Sequence, residues 1–494
     1  MRFSFLVLLI CTSVVAEGGS LSRGDLFKDR QYRTNADVNL FVNFTGNNAN
    51  SCTTASLPCL TIQGALNKLP RVLRHKVTVN VAAGTYPDGF YISGFVFDES
   101  FQRLTMGLNI IGAGFANSTT LASGTATGTV SSGTTGSSTL PTFGTLTDLT
   151  QNWTVNDLKG RWLLRTGGTG VSLTSTYIIE SNTATTITIV SSQTAIDATS
   201  TYAIQDPLTT VTGLLPFIAV NGTLIANWAA VHISGNIGKG SPGSLISILN
   251  IRFAPTLSAS FIFDVRSSVG VRFDHVHVDA SSPAAMVNVE DQAAYVNLRH
   301  CYLNGSFSST PGIHLRGVVT SRGSTLLVQR TLIVGINEGI FSFGDIVGFQ
   351  NSEVSAPKPF RLQSGLIWKG GFYGSKLIGS GVSSCLNFAE VGVSNSIDTN
   401  TGGMGGYIDN VEVSGCTNAV ASHGGSAVIT AISGTSTNGL VAFGGGRIHF
   451  VPVGFTLVAS GSEVSIDNAA TSTVVGLGSG CLAGLGSGSR ICTQ

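Results

Sequence analysis

From about residue 245 onward, one arrangement of apolar and polar positions keeps returning. It reads Ile248-Leu-Asn-Ile-Arg-Phe253, Phe273-Asp-His-Val-His-Val278, Leu298-Arg-His-Cys-Tyr-Leu303, Val328-Gln-Arg-Thr-Leu-Ile333, Phe349-Gln-Asn-Ser-Glu-Val354, Phe372-Tyr-Gly-Ser-Lys-Leu377 and Ile408-Asp-Asn-Val-Glu-Val413. The steps between units are 25, 25, 30, 21, 23 and 36 residues. Each unit is one apolar residue, two variable ones, then an in-out-in alternation of the kind a strand requires. Strands repeating at this period, with no helical stretch between them, predict a solenoid of stacked coils, a parallel β-helix. A second, less regular set is formed by Phe263-Asp-Val-Arg266, Val287-Asn-Val-Glu290, Ile313-His-Leu-Arg316, Phe341-Ser-Phe-Gly344 and Leu386-Asn-Phe-Ala389. Near the end, Thr417-Asn-Ala-Val-Ala-Ser-His-Gly-Gly425 and Thr437-Asn-Gly-Leu-Val-Ala-Phe-Gly-Gly445 lie 20 residues apart.

The N-terminal region has a different rhythm. Leu60, Ile62, Ala65, Leu66 and Leu69 fall on one face of a short helix that Pro70 stops. Alternating Val77, Val79 and Val81 then predict a strand. A helix laid over the first coil would cover apolar side chains and strand edges that an open solenoid end exposes, so it is expected to be a cap. This stretch, Gly46-Asn-Asn-Ala-Asn-Ser-Cys52 through Leu57-Pro-Cys-Leu-Thr-Ile-Gln-Gly-Ala-Leu-Asn-Lys-Leu-Pro70 and Val77-Thr-Val-Asn-Val-Ala-Ala-Gly-Thr-Tyr86, resembles the first coil of pectin-lyase-like right-handed β-helix proteins. The likeness is closest to phage tailspike and tail-fibre proteins and to secreted surface β-helix proteins. It implies an all-β, right-handed, single-stranded parallel β-helix, and it carries no catalytic residues. From tailspikes alone it also implies a homotrimer. Residues 120–140 are a Gly/Ser/Thr linker, and the short alternating segments after it predict a small antiparallel β module inserted between coils. The expected organisation is signal peptide 1–16, cap and first coils 17–119, linker and module 120–212, parallel β-helix 213–470 and a Gly/Ser-rich tail 471–494.

Composition narrows the setting. Met1-Arg2, the apolar run Phe3 to Ile10 and Val14-Val15-Ala16 read as a secretory signal, too short for a membrane span. No later apolar run reaches spanning length, and no hydrophobic C-terminal tail signals a lipid anchor. A secreted protein, free or at a cell or virion surface, is expected. Lys and Arg number 27 against 26 Asp and Glu, without a basic run, which argues against nucleic acid or anionic membrane as partner. Cys52 with Cys59, Cys385 with Cys416, and Cys481 with Cys492 are expected to form disulfides in that oxidising compartment. Cys301 shares an inward position with Ile251, Val276, Thr331, Ser352, Ser375 and Val411 and reads as a buried thiol. Sequons at Asn43, Asn117, Asn152, Asn221 and Asn304 mark surface if glycosylated, or arise by chance in a chain rich in Asn, Ser and Thr.

Chemistry is sparser. Asn250, His275, His300, Arg330, Asn351, Gly374 and Asn410 form one column before the strand, which resembles the coil-to-coil Asn ladders of β-helices. Arg272-Phe-Asp-His275 resembles the Ile-Asp-His stretch of some pectate lyases, yet the neighbouring coils carry Leu249-Asn250 and Arg299-His300, as a structural ladder would. His423-Gly-Gly resembles a polygalacturonase segment without the paired aspartates that hydrolysis needs. Two carboxyl groups must stand roughly 5 to 9.5 Å apart, a spacing within reach of adjacent coils about 4.8 Å apart.

The outward column is Arg252, His277, Tyr302, Leu332, Glu353, Lys376 and Glu412, with Glu353 and Lys376 expected as an ordinary surface ion pair. The second set places Asp264, Asn288 and His314 in one outward column, and Arg266, Glu290 and Arg316 in the next. If catalytic, Asp264, Glu290, Arg266 and Arg316 are the candidates, with an Arg as base and Asp264, Glu290 and Asp291 holding Ca²⁺ beside a uronate. Otherwise the two columns are a charge ladder that keeps the surface soluble. His277, Tyr302, His314, Trp153 and Trp162 are candidate saccharide contacts, the two tryptophans alternatively anchors of the module core. Two readings follow: an extracellular protein that binds a polysaccharide or cell-surface glycan without cofactor or catalysis, or a polysaccharide lyase or hydrolase, with Ca²⁺ if a lyase.

Overall fold

A computed structural model describes residues 33–98, 107–114, 127–129, 132–134, 144–167, 176–190, 199–218, 226–238, 245–256, 261–266, 268–280, 285–290, 295–305, 316–320, 323–362, 366–380, 383–388, 405–423, 426–429, 431–443, 447–450, 455–460, 464–466, 473–476, 481–483 and 490–492. The chain winds into coils of three strands, and equivalent strands of successive coils pair in parallel. Ladder A stacks Val77, Leu108, Ile246, Val271, Val296, Leu326 and Ile346. Ladder B stacks Tyr86, Val211, Phe253, Val278, Leu303, Ile333, Val354, Leu377 and Val413. Ladder C stacks Phe90, Val231, Phe263, Val287, Val318, Ile340, Phe360, Leu386, Val420 and Leu440. These columns point inward and form one continuous buried core. The fold is a single-stranded parallel β-helix.

The column read from sequence as a ladder corner is the turn between ladders A and B, except for Asn410, which lies inside strand Gly405–His423 opposite Tyr373. Asn250, His275, His300, Arg330, Asn351 and Gly374 all hold positive φ, between 48° and 62°. Left-handed backbone costs least for Gly, and Asn and His tolerate it better than most residues, which accounts for the composition of this column. Main-chain bonds join its successive coils. Asn250 N donates to Asp274 O at 3.2 Å, His275 N to Arg299 O at 3.1 Å, and His300 N to Gln329 O at 3.0 Å. A polar side-chain ladder exists one residue later, inside the coil. Cys301 N donates to Thr331 Oγ1, Thr331 N to Ser352 Oγ, and Ser352 N to Ser375 Oγ, at 3.1–3.3 Å. The hydroxyls donate in turn to main-chain carbonyls, so these buried groups are satisfied. Cys301 is the free buried cysteine of this column, as its repeat position predicted.

The helix spans Ile62–Leu66, shorter than the apolar spacing suggested, with Thr61 Oγ1 accepting from Gly64 N at its start. Leu66 and Leu69 are buried, whereas Leu60 stands exposed. Disulfides join Cys52 to Cys59 and Cys385 to Cys416. Cys481 lies directly opposite Cys492 across a two-stranded antiparallel pairing. No helix among the described residues is long and apolar enough to cross a membrane.

The inserted module is a seven-stranded antiparallel sheet built from strands between Thr127–Thr129 and Thr201–Gln205. It leaves the solenoid after the ladder A strand Gly107–Gly112 and returns at the ladder B strand Thr209–Val211. It therefore stands where later coils place a single corner residue. Its own core gathers Leu146, Leu158, Leu163, Tyr177, Ile179 and Tyr202, with Trp153 packed alongside. A second apolar cluster, Trp162, Ile178 and Val190 with Tyr302, Leu332 and Val334, joins the module to the outer face of ladder B.

Candidate functional site

The ionisable cluster anticipated from the second set of repeats lies on the outer face of ladder C. Strands Phe90–Ser93, Ala226–Ser234, Phe261–Arg266 and Ala285–Glu290 pair in register there. Alternation turns Ile92, Ile233, Val265 and Val289 inward, leaving Tyr91, His232, Asp264 and Asn288 as one outward column. Ser93, Ser234, Arg266 and Glu290 form the next. Asp264 is fully buried at the centre of a bonded network. Its Oδ2 accepts from Arg266 Nε and contacts His232 Nδ1, both at 2.7 Å, and its Oδ1 accepts from Asn288 Nδ2 at 2.7 Å. Arg266 Nη2 reaches on to Glu290 Oε2 at 2.7 Å. Burial pushes the Asp264 carboxyl up, but the bonds from His232, Arg266 and Asn288 and the Arg266 charge outweigh it and hold the group below its ordinary value.

This geometry corrects part of the sequence reading. Asp264 is not solvent-facing: its side chain is buried and both of its oxygens are engaged. Arg266, 7% exposed in its side chain, is bonded to two carboxylates, Asp264 and Glu290. Calcium fits poorly for the same reason, since its ligand oxygens on Asp264 and Glu290 already carry Arg, His and Asn donors. Asp291 and His314 lie outside the described residues. Arg316 is not in the Arg266–Glu290 column, because the next coil is offset from the sequence alignment: Val287 pairs with Val318 and Ala285 with Arg316. Arg316 instead bonds Glu338 at 2.8 Å, and Arg316 and Arg361 place their guanidinium groups 4.7 and 4.8 Å from the Phe341 ring centre.

Beside this column a cleft of about 370 Å³ opens between the helix and ladder C. Its wall carries Gln63, Arg71, Tyr91 and Ser93, with Leu66 and Phe95 as apolar lining. Gln63 Oε1 accepts from Tyr91 N at 2.7 Å, and Arg71 Nη1 donates to Ser93 O at 2.8 Å. The Tyr91 ring meets the His232 ring edge-on at 5.8 Å. Tyr91 and Ser93 thus belong both to the cleft wall and to the outward columns of ladder C. The repeat pattern gave no sign of Gln63, Arg71, Tyr91 or His232, since Tyr91 and His232 pair across the whole inserted module.

No family model and no curated protein matches this chain. Among solved structures it is similar to a glycoside hydrolase, at 8% identity and a TM-score of 0.30, over 87% of this chain and 96% of that one. It is also similar to the tailspike gp61 of Pseudomonas phage phi297, at 10% identity and a TM-score of 0.26, over 84% of this chain and 68% of that one. At these values no function transfers. The strand ladders themselves define the fold.

The other candidates sit at the joint between module and solenoid or within the module. His277 and Tyr302 do occupy one outward column of ladder B, but they are only 6% and 5% exposed. Trp162 is fully buried, donates through Nε1 to His300 O at 2.9 Å and packs against the His275 and His277 rings. Its indole anchors the module to the solenoid, so Trp162, His277 and Tyr302 are closed to a glycan in this arrangement. Trp153 packs on the module core, edge-on to Tyr202. Glu353 and Lys376 are neighbours in ladder B as expected, but Glu353 is buried rather than at the surface, and Lys376 approaches Glu412 at 3.8 Å.

Asp274, His275 and His300 bring three potential metal ligands together, with Asp274 Oδ1 2.9 and 3.2 Å from the two Nδ1 atoms. The two imidazoles, however, stack at 4.5 Å and 19°, so a single ion cannot lie in both ring planes. Arg330 Nη1 also stands 3.5 Å from His300 Nε2. The cluster is a buried carboxylate between two imidazoles. Burial pushes His300 down to about 4.

Proposed function

We propose that this protein is an extracellular glycan-binding protein that holds its ligand without cleaving it, along the cleft and the adjoining outer face of ladder C. The observation that carries the reading is the state of Asp264. The buried carboxylate on this face is saturated by three partners and held ionised, while Glu290 is tied to Arg266. A hydrolase needs one carboxylic acid able to give up a proton, with its group shifted upward; the described residues of this face offer the opposite. What remains accessible suits a sugar: the Tyr91 ring, the amide and hydroxyl groups of Gln63 and Ser93, and the Arg71 guanidinium over an apolar lining. Two disulfides accord with the extracellular setting.

The competing reading is a depolymerase that uses His232, an imidazole oriented through Nδ1 by a buried carboxylate. One experiment separates the two. Mature protein is offered acidic and neutral polysaccharides with and without Ca²⁺, and binding, unsaturated-uronate absorbance and new reducing ends are followed together. Binding without either product is expected, and Tyr91→Ala should weaken it about tenfold, the loss of one stacked aromatic contact. Product formation that His232→Ala abolishes would replace the binding reading with the enzymatic one.

A further inference from the structure

The interface between module and solenoid contains a group that an apolar joint would not be expected to hold. Glu353 sits in the outward column of ladder B between Leu332 and Lys376, directly beyond the Trp162–Tyr302–Leu332 cluster. It is 1% exposed, and among the described residues its Oε2 has no hydrogen-bond partner. The charged groups around it come from both sides: Glu180 and Lys159 from the module, Lys376 and Glu412 from neighbouring coils. Two negative and two positive neighbours leave little net field to hold a carboxylate. Lys376 is itself drawn towards Glu412.

We propose that docking of the module on ladder B takes up a proton at Glu353, so that the module is held tightly in mildly acidic surroundings and loosened above neutrality. Burial first, and the Glu180 charge second, push the docked carboxyl up to about 7 from an ordinary 4.5. Undocking returns it to water and towards the ordinary value. Below about pH 4.5 the acid is neutral in both states, and docking carries no charge penalty. Above about pH 7 it is ionised in both, and docking buries a charge whose Oε2 has no hydrogen-bond partner among the described residues. Between these limits docking weakens as pH rises, on the order of a hundredfold in its equilibrium constant. His300 beneath the joint is pushed down by burial, and any share of that burial owed to the module acts in the opposite sense. The Glu353 contribution is therefore read as a difference between two proteins. Loosening the module would uncover His277 and Tyr302 on ladder B and, on the module's own side, Trp162 that packs over them.

The test is hydroxyl-radical labelling of Trp162 and Tyr302 in the full mature chain, across a urea series at pH 5 and at pH 8, for wild type and Glu353→Gln. The two proteins should expose these residues at nearly the same urea concentration at pH 5. At pH 8 the wild type should expose them earlier, with the gap corresponding to about a hundredfold in docking. Glu180→Gln, a change at a half-buried module position, should shift the wild type part of the way towards Glu353→Gln. A gap that is the same at both pH values, or a Glu180→Gln protein that tracks the wild type where Glu353→Gln fails to fold, would overturn the proposal.

Discussion

At the residue scale, the most consequential group is Asp264, whose alternation position is outward yet whose side chain is closed off by its own neighbours. Its place opposite Asn288, and that of Arg266 opposite Glu290, could be read from the repeats. Its burial and its bond to His232 could not, because His232 belongs to a strand with no recognisable repeat. A carboxyl held below its ordinary value stabilises the fold above its unfolded value near 3.8, and that contribution is lost as pH falls through the folded value. Wild type should therefore lose stability relative to Asp264→Asn as pH is lowered from 5 to below 3.8, in parallel urea titrations. Near neutrality, Asp264→Asn should itself cost about 3–5 kcal/mol, since it leaves Arg266 without its buried partner.

The element that most changes the reading is the inserted module. Its strands and turns are visible in the sequence, and so are Trp153 and Trp162 as large anchors. Their fates differ because only one of them faces the solenoid. Trp153 closes the module core, while Trp162 leaves it to fill the space over His275, His277 and Tyr302. Trp162→Ala should cost about 3–5 kcal/mol, the range for removing a buried aromatic ring. The loss should be concentrated at the joint, so hydrogen exchange should rise around Tyr302 and Leu332 before it rises at Ile179 and Ile187. An equal rise at both places would mean that the module has no stability of its own.

The whole molecule is a column in which each coil contacts chiefly its neighbours, so covalent ties have regional effects. Cys385–Cys416 joins coils separated by 31 residues. Reducing it should cost about 3–4 kcal/mol by the loop-closure relation, felt mainly in the coils after ladder C strand Ser384–Phe388. Alkylation before and after denaturation checks the full cysteine assignment. Cys301 should react only once the column opens, and peptide mapping should recover Cys481 joined to Cys492.

The sequence by itself determined the repeat, and through it the ladders, the corner residues and the inward column that holds Cys301. These are local consequences of alternation and of the left-handed turn, written into the coils from Asn250 to Gly374. It also marked which side chains leave the core, but not what lies beyond them. That was decided by tertiary structure. A module inserted at the second coil's corner covers the ladder B face, and pairing across that insertion places Tyr91 beside His232. The offset of Arg316, opposite Ala285 and not Glu290, has the same origin, since register in a parallel ladder is set by the neighbouring coil and not by the spacing along the chain.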